Sequence, residues 1–248
     1  MIKVGVLGAK GKMGAQTVAT INEATDLELV AALDLGDSLE SLLNSGAEVI
    51  VDFTHPDSVM ANLEFAIKNG INVVVGTTGF DSAKLSKVKE LLANNPKVGA
   101  LIAPNFGLGA VLMMQFAAQA AKHFESVEII ELHHPNKADA PSGTATRTAE
   151  IITDARKAAK RPPMPDATTS GVPGSRGVKV GDVPIHSVRL RGLVAHQEVV
   201  LGDQGETLSI RHDSIDRTGF MPGVLLGIRK VGSHPGLTFG LENFLDLK

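Results

Sequence analysis

The segment Ile2-Lys3-Val4-Gly5-Val6-Leu7-Gly8-Ala9-Lys10-Gly11-Lys12-Met13-Gly14 decides the fold. A short apolar run ends in three glycines spaced G-x-x-G-x-x-G, and a helical pattern over residues 12–23 follows. Glycine suits such a turn because a side chain would hold the backbone away from a pyrophosphate, while the helix start offers free N–H groups and partial positive charge. A glycine pattern alone is common. This one follows the first strand, opens a helix, and is succeeded roughly 20 residues later by Asp34 at the end of a second apolar run. A tight strand-to-helix turn without a ligand is the competing reading, and it has no use for the acid.

Outward from this loop, apolar runs at residues 2–7, 27–33, 49–51, 73–75 and 98–102 alternate with helical patterns at 12–23, 58–69 and 82–94. Near-continuous apolarity marks strands buried on both faces, as in a parallel sheet covered by helices. The expectation is an α/β fold: a Rossmann-like, doubly wound dinucleotide-binding domain over residues 1–107 and 216–248. After Pro104-Asn105-Phe106-Gly107 the pattern changes to a helix at 110–124, a strand at 127–132, a polar loop at 133–141 and a helix at 143–160. Arg161-Pro162-Pro163-Met164-Pro165 cannot be regular structure, because proline removes donors and fixes φ. The 171–181 stretch reads as loop as well. Alternating runs at 185–190, 193–201 and 207–211, the last two joined by a turn at Gly202-Asp203-Gln204-Gly205, read as antiparallel strands. Residues 108–215 are thus expected to form an α+β domain with a mixed or antiparallel open sheet, serving substrate binding and oligomerisation. A helix over 216–230 returns the chain to the first domain, and a closing motion about Phe106-Gly107 and residues 213–218 is expected.

Composition removes chemistry. The 248 residues contain no Cys, Trp or Tyr, so no disulfide, cysteine nucleophile, thiolate metal site or tyrosine acid exists. Proton transfer is left to His, Lys, Asp, Glu or water. A net charge of -3 offers no basic surplus for nucleic acid. No run approaches the length of a membrane span, and the opening apolar run, broken by Gly8, is too short for a signal peptide. The expectation is a cytoplasmic protein that engages neither membrane nor nucleic acid.

Asp34 speaks to the cofactor: a carboxylate there accepts the ribose 2′-OH of NAD and repels the 2′-phosphate of NADP. Lys10 and Lys12 either offset that repulsion or belong to a solvated loop. NADH is the expected preference, with NADPH accepted. Gly76-Thr77-Thr78-Gly79 and Ala103-Pro104-Asn105-Phe106 follow strands at their carboxyl ends, where open α/β sheets bind ligands. They suit a nicotinamide ribose and carboxamide, although ordinary polar turns look the same. Asp52 ends the third strand near this edge, or caps the helix after Pro56.

The densest chemistry is Glu131-Leu132-His133-His134-Pro135-Asn136-Lys137-Ala138-Asp139-Ala140-Pro141-Ser142-Gly143-Thr144. Adjacent strand residues point to opposite faces, so His133 and His134 make a poor metal pair, and no metal is expected. Imidazole titrates near neutrality and Lys137 adds positive charge, a pairing suited to holding and protonating an anion. Ser142-Gly143-Thr144 opens a helix and can cradle a carboxylate, while Ser142 can also cap that helix for ~1 kcal/mol. The remaining histidines, at 55, 123, 186, 196, 212 and 234, stand alone and read as structural or surface residues.

This segment, with its H-H-x-x-K-x-D-A-P-S-G-T core, resembles the signature of the dihydrodipicolinate reductases of bacterial lysine and diaminopimelate biosynthesis. The resemblance covers the chain, from the glycine loop through the two later cofactor loops to the strands and returning helix. It implies an oxidoreductase that uses NAD(P)H to reduce 4-hydroxy-tetrahydrodipicolinate, or its dehydrated imine, to tetrahydrodipicolinate. His133 then matches the family's proton donor or acceptor, Lys137 its proton donor, His134 a substrate contact, and Gly143-Thr144 the carboxylate-binding pair. Gly8, Ala9, Lys10, Gly11, Lys12, Met13, Asp34, Gly76, Thr77, Thr78, Ala103, Pro104, Asn105 and Phe106 match its cofactor contacts. Leu35 departs from members that place a basic residue after the acid for the 2′-phosphate. The resemblance further implies a homotetramer built through the sheet of the second domain, acting on a small cyclic dicarboxylate. A different small-acid dehydrogenase, or an NADH-binding regulator without turnover, is the alternative reading of the residues themselves.

Overall fold

The computed structural model describes residues 1–247. The chain forms two compact units, residues 1–108 with the described residues from Arg217 onward, and Gly109–Asp216.

The first unit begins with β1 (Ile2–Leu7), α1 (Lys12–Glu23), β2 (Leu27–Leu33), α2 (Glu40–Asn44), β3 (Val49–Asp52), α3 (Val59–Lys68), β4 (Asn72–Val75), α4 (Ser82–Ala93) and β5 (Gly99–Ile102). Val6, Ile50, Val51, Val73, Val74 and Leu101 are fully buried, so these strands lack the alternation of a one-faced sheet. Pairing is parallel throughout, and the registers Leu7↔Leu33, Leu7↔Asp52, Val75↔Asp52 and Val75↔Ile102 bring five carboxyl ends to one edge. β1 lies between β2 and β3, the point where strand order reverses and such sheets bind ligands.

The second unit comprises α5 (Leu108–Ala120), β6 (Ser126–His133), α6 (Gly143–Ala158), β7 (Val178–Val180), β8 (Val183–Arg189), β9 (Ala195–Asp203) and β10 (Glu206–Ser214). The sheet order is β10-β9-β6-β8-β7. Along β6, Val127, Ile129 and Glu131 are buried at every second position; along α6, Ala145, Thr148, Ala149, Ile152, Thr153 and Arg156 are buried at helical spacing. These faces meet, and Arg156 is admitted to the interior because its guanidinium donates to the carbonyls of Ala121, Phe124, Glu125 and Pro162.

The chain returns to the first unit through a 3₁₀ turn (Arg217–Phe220), α7 (Met221–Val231) and β11 (Gly236–Phe239). β11 extends the parallel sheet to the order β11-β5-β4-β3-β1-β2. The architecture is the Rossmann-like sheet plus a mixed-sheet unit. Five details refine the sequence reading. β11 and α2 were not foreseen, and β7 lies within a stretch read as loop. β8 pairs parallel with β6, with Ile129 opposite Ile185 and His133 opposite Arg189, so the sheet is mixed although the run at 185–190 had been grouped with antiparallel strands. The last helix starts at Met221, because Gly219 and Pro222 leave the preceding turn a 3₁₀ one.

Candidate functional site

In the first unit, Gly8 and Ala9 donate backbone N–H groups to Leu33 O at 2.9 and 3.0 Å, tying the glycine loop to the end of β2. Gly8 has φ +76°, and a Cβ there would meet Phe53 O at 2.7 Å. Gly14 sits in the first turn of α1 with its Cα against the loop, so that a Cβ would lie 2.0 Å from Gly8 O. Gly11 provides no side-chain cap for α1, leaving the helix start bare. Asp34 Oδ2 accepts from Lys10 N at 2.7 Å and its Oδ1 from Leu35 N at 2.8 Å; these two N–H groups hold its carboxyl below the usual carboxylate range. The acid is therefore fixed beside the loop while retaining lone pairs for ribose hydroxyls. Lys10 and Lys12 are exposed there.

Asp52 is fully buried and organises the neighbouring loop. It accepts from Thr54 N, Thr54 Oγ1, Asn62 Nδ2 and Thr77 Oγ1, at 2.7 to 2.9 Å. Its carboxylate therefore anchors Thr54 and Thr77 rather than capping the helix after Pro56. Gly76 lies under the Phe53 ring, which packs edge-on against Phe106 with centroids 5.8 Å apart. Thr78 and Pro104 are exposed; Ala103 and Phe106 are buried, so Phe106 supports this edge through its ring. Gly107 N donates to Asn105 Oδ1 at 2.7 Å. The glycine loop, Asp34 and both later loops thus share one sheet edge. Backbone freed of side chains, a bare helix start and a fixed acid fit a dinucleotide.

In the second unit, β6 delivers His133 at its last position, and the loop leads through exposed His134 to Lys137 and Ser142. Ser142 caps α6 by accepting from Ala145 N at 3.2 Å, and a Cβ on exposed Gly143 would meet nothing within 4 Å. Beneath them lies Glu131, whose side chain is 0% exposed. Its Oε2 faces His133 Nδ1 at 2.5 Å, its Oε1 accepts from Ser142 N at 3.2 Å, and Arg189 Nη1 and Nη2 donate to the two oxygens at 2.9 and 2.8 Å. Arg189 Nη2 also donates to Asp139 O at 2.7 Å, while Asp139 Oδ1 accepts from Lys137 Nζ at 2.6 Å.

Burial pushes the Glu131 carboxyl up, but hydrogen bonds from Arg189, Ser187 and His133 hold it below the usual carboxylate range. Burial pushes the His133 imidazole below its ordinary range; Glu131 opposes this, and the charges of Lys137 and Arg189 add to it. Glu131 had been read only as the start of the loop, and Arg189 not at all. Three histidines read as solitary face carboxylates: His55 Nδ1 lies 3.1 Å from Asp57, His186 Nε2 lies 2.7 Å from Glu128, and His196 Nδ1 lies 2.6 Å from Asp213. The last two pairs join neighbouring strands. No group of three or more His, Asp or Glu residues among the described residues is arranged to hold a metal ion, and no helix among them is long and apolar enough to cross a membrane.

Two family models match the chain in succession, and the second runs on past Arg217 into residues that belong to the first unit. Residues 2–106 match the family model described as dihydrodipicolinate reductase, N-terminus, and residues 109–245 match the one described as dihydrodipicolinate reductase, C-terminus. The 4-hydroxy-tetrahydrodipicolinate reductase of Nocardia farcinica is 63% identical over 246 residues, covering 99% of each chain. That of Mycolicibacterium vanbaalenii is 62% identical over 247 residues, covering 100% of each. The solved dipicolinate-bound dihydrodipicolinate reductase of Paenisporosarcina sp. TG-14 superposes with a TM-score of 0.87 at 39% identity, covering 99% of this chain and 100% of that one. The chain belongs to the dihydrodipicolinate reductase family and is an oxidoreductase with a nucleotide-binding Rossmann domain.

Proposed function

We propose that the two units divide one reaction between them. The overall change is 4-hydroxy-tetrahydrodipicolinate plus NAD(P)H and a proton to tetrahydrodipicolinate, NAD(P)⁺ and water, a step of lysine and diaminopimelate biosynthesis. When bound, NAD(P)H supplies the hydride. The first unit binds it through the Gly8–Met13 loop, Asp34, Gly76-Thr77-Thr78 and the 103–106 loop.

The observation that carries the reading is the meeting of His133, Lys137 and the start of α6 on one short loop. Lys137 and His134, with the N-terminal end of α6 at Gly143-Thr144, are the cationic and helix-end partners that suit a cyclic dicarboxylate. The related Paenisporosarcina enzyme was solved with dipicolinate bound, a planar dicarboxylate of this class. His133 donates Nδ1–H to Glu131, which leaves Nε2 to exchange a proton with the substrate ring. Lys137, whose Nζ donates to Asp139 Oδ1 at 2.6 Å, provides the proton that balances the hydride.

Adding the freshly generated condensation product of pyruvate and aspartate semialdehyde should consume NADH absorbance. Binding of NADH without turnover would overturn the reading. NADH is the preferred donor because Asp34 stands where a 2′-phosphate would lie and Leu35 follows it; kcat/KM favouring NADPH by more than about tenfold would reverse that preference. The protein acts in the cytoplasm as a homotetramer formed through the second unit's sheet, and its mass in solution tests the assembly.

A further inference from the structure

We infer that Glu131 is a positioning residue for the reduction, and that Arg189 extends its hold from His133 to Lys137. The inference rests on the proton-transfer role given above to His133. β6 places Glu131 where Val127 and Ile129 mark the interior, and a carboxylate without partners is not tolerated there. Its partners are the three things the reaction needs held still. Oε2 takes the Nδ1–H of His133, Oε1 takes the N–H of Ser142 at the start of α6, and both oxygens engage Arg189. Arg189 in turn holds Asp139 O, and Asp139 holds Lys137 Nζ. Charge-assisted hydrogen bonds thus link the imidazole to Glu131 and Arg189, and Asp139, held at its backbone carbonyl by Arg189 and at its carboxylate by Lys137, joins them to the amine within the second unit.

Two consequences follow from the chemistry of these bonds. A carboxylate at Nδ1 selects the tautomer whose Nε2 carries the lone pair, so the ring is ready to exchange a proton without first turning over. The same carboxylate opposes the downward push of burial, Lys137 and Arg189 on the imidazole, keeping its protonated form within reach. Glu131→Gln preserves shape but replaces one acceptor oxygen with an NH₂ that opposes an Arg189 N–H in either orientation, and with it either His133 or Ser142.

The test is a cycle of Glu131→Gln, His133→Ala and the double variant, combined with histidine ¹⁵N spectra of the unaltered protein. Glu131→Gln should lower kcat by about 10²-fold or more, leave KM for NADH unchanged and move the His133 titration to lower pH. Glu131→Gln should cost clearly less on the His133→Ala background than in the unaltered protein, because much of its action runs through that ring. An equal additional loss on the His133→Ala background overturns the positioning role while leaving the proposed function intact. Normal turnover by His133→Ala instead overturns the role of His133 on which the inference rests. If Glu131→Gln does not fold, the ¹⁵N spectrum decides: Nδ1 protonated and Nε2 bare at mildly alkaline pH is expected, and the opposite tautomer overturns the inference.

Discussion

Gly14→Ala tests the cofactor cradle most directly. The added Cβ would lie 2.0 Å from Gly8 O, 2.7 Å from Gly8 C and 2.9 Å from Ala9 Cα, all backbone atoms that no side-chain rotation can remove. The helix and the glycine loop must separate by about 1.4 Å to bring the shortest contact to the 3.4 Å at which ordinary packing begins. Overpacking of this kind costs ~1–3 kcal/mol. The loop is tied to the end of β2 by the bonds of Gly8 and Ala9 to Leu33 and of Lys10 to Asp34, so the displacement falls on the surface proposed to meet the pyrophosphate and on the acid beside it. At 1.4 kcal/mol per factor of ten, NADH affinity should weaken by roughly 5- to 150-fold. Alanine's better helix propensity returns up to about 1 kcal/mol to folding, so thermal stability should move less than affinity. The assay is titration by nicotinamide emission, which the absence of Trp and Tyr leaves free of energy transfer from the protein. Gly202→Ala is the control, because its Cβ meets nothing within 4 Å. A Gly14→Ala dissociation constant within about twofold of the unaltered protein, some 0.4 kcal/mol, would refute the placement of the dinucleotide on this loop.

Three other outcomes are expected. Lys137→Ala should reduce kcat by at least ~10²-fold with NADH affinity unchanged; near-normal turnover would remove Lys137 as the proton source. Thr77→Val deletes the buried hydroxyl that donates to Asp52 at 2.9 Å, and should cost ~1–3 kcal/mol in urea unfolding, a loss under ~0.5 kcal/mol counting against the Asp52 network. Because the fold holds the His133 pKa down, the unfolded chain binds more protons at that residue. Its contribution to stability is therefore complete above the ordinary imidazole value of 6.5 and declines as pH falls from there toward the folded value. Melting temperature against pH should accordingly fall less steeply on the acid side in His133→Gln than in the unaltered protein, and parallel curves would contradict the shift.

The central strands and their helices were legible because each carries its own signal. Buried β-branched runs of four or more residues punctuated by glycine announce a parallel sheet wherever they occur. The strands that went unread have no such signal. β11 is the four residues Gly236–Phe239, only half-buried, between Pro235 and Gly240, and it is a strand because Gly236 to Phe239 pair with Gly99 to Ile102 of β5. β7 is three residues at the edge of the second unit's sheet, held by β8. In both cases the partner strand, not local propensity, decides the conformation.

The site divides along the same line. His133 and Lys137 were found because titratable residues crowd one loop, a local signal. Glu131 had a local signal too, a carboxylate in the apolar register of β6, and its burial requires a cation. What local sequence could not supply was which cation, since Arg189 lies 58 residues away. That gap traces to the misread strand pairing. The helical pattern between β6 and β8 is a crossover, and a crossover joins parallel strands. With Ser187 beside Glu131 and Arg189 beside His133 in the parallel register, side-chain alternation places Arg189 on the same face as both. Reading the crossover as parallel would thus have identified the ion pair, because in a sheet the partner of a buried charge is set by register before it is set by proximity.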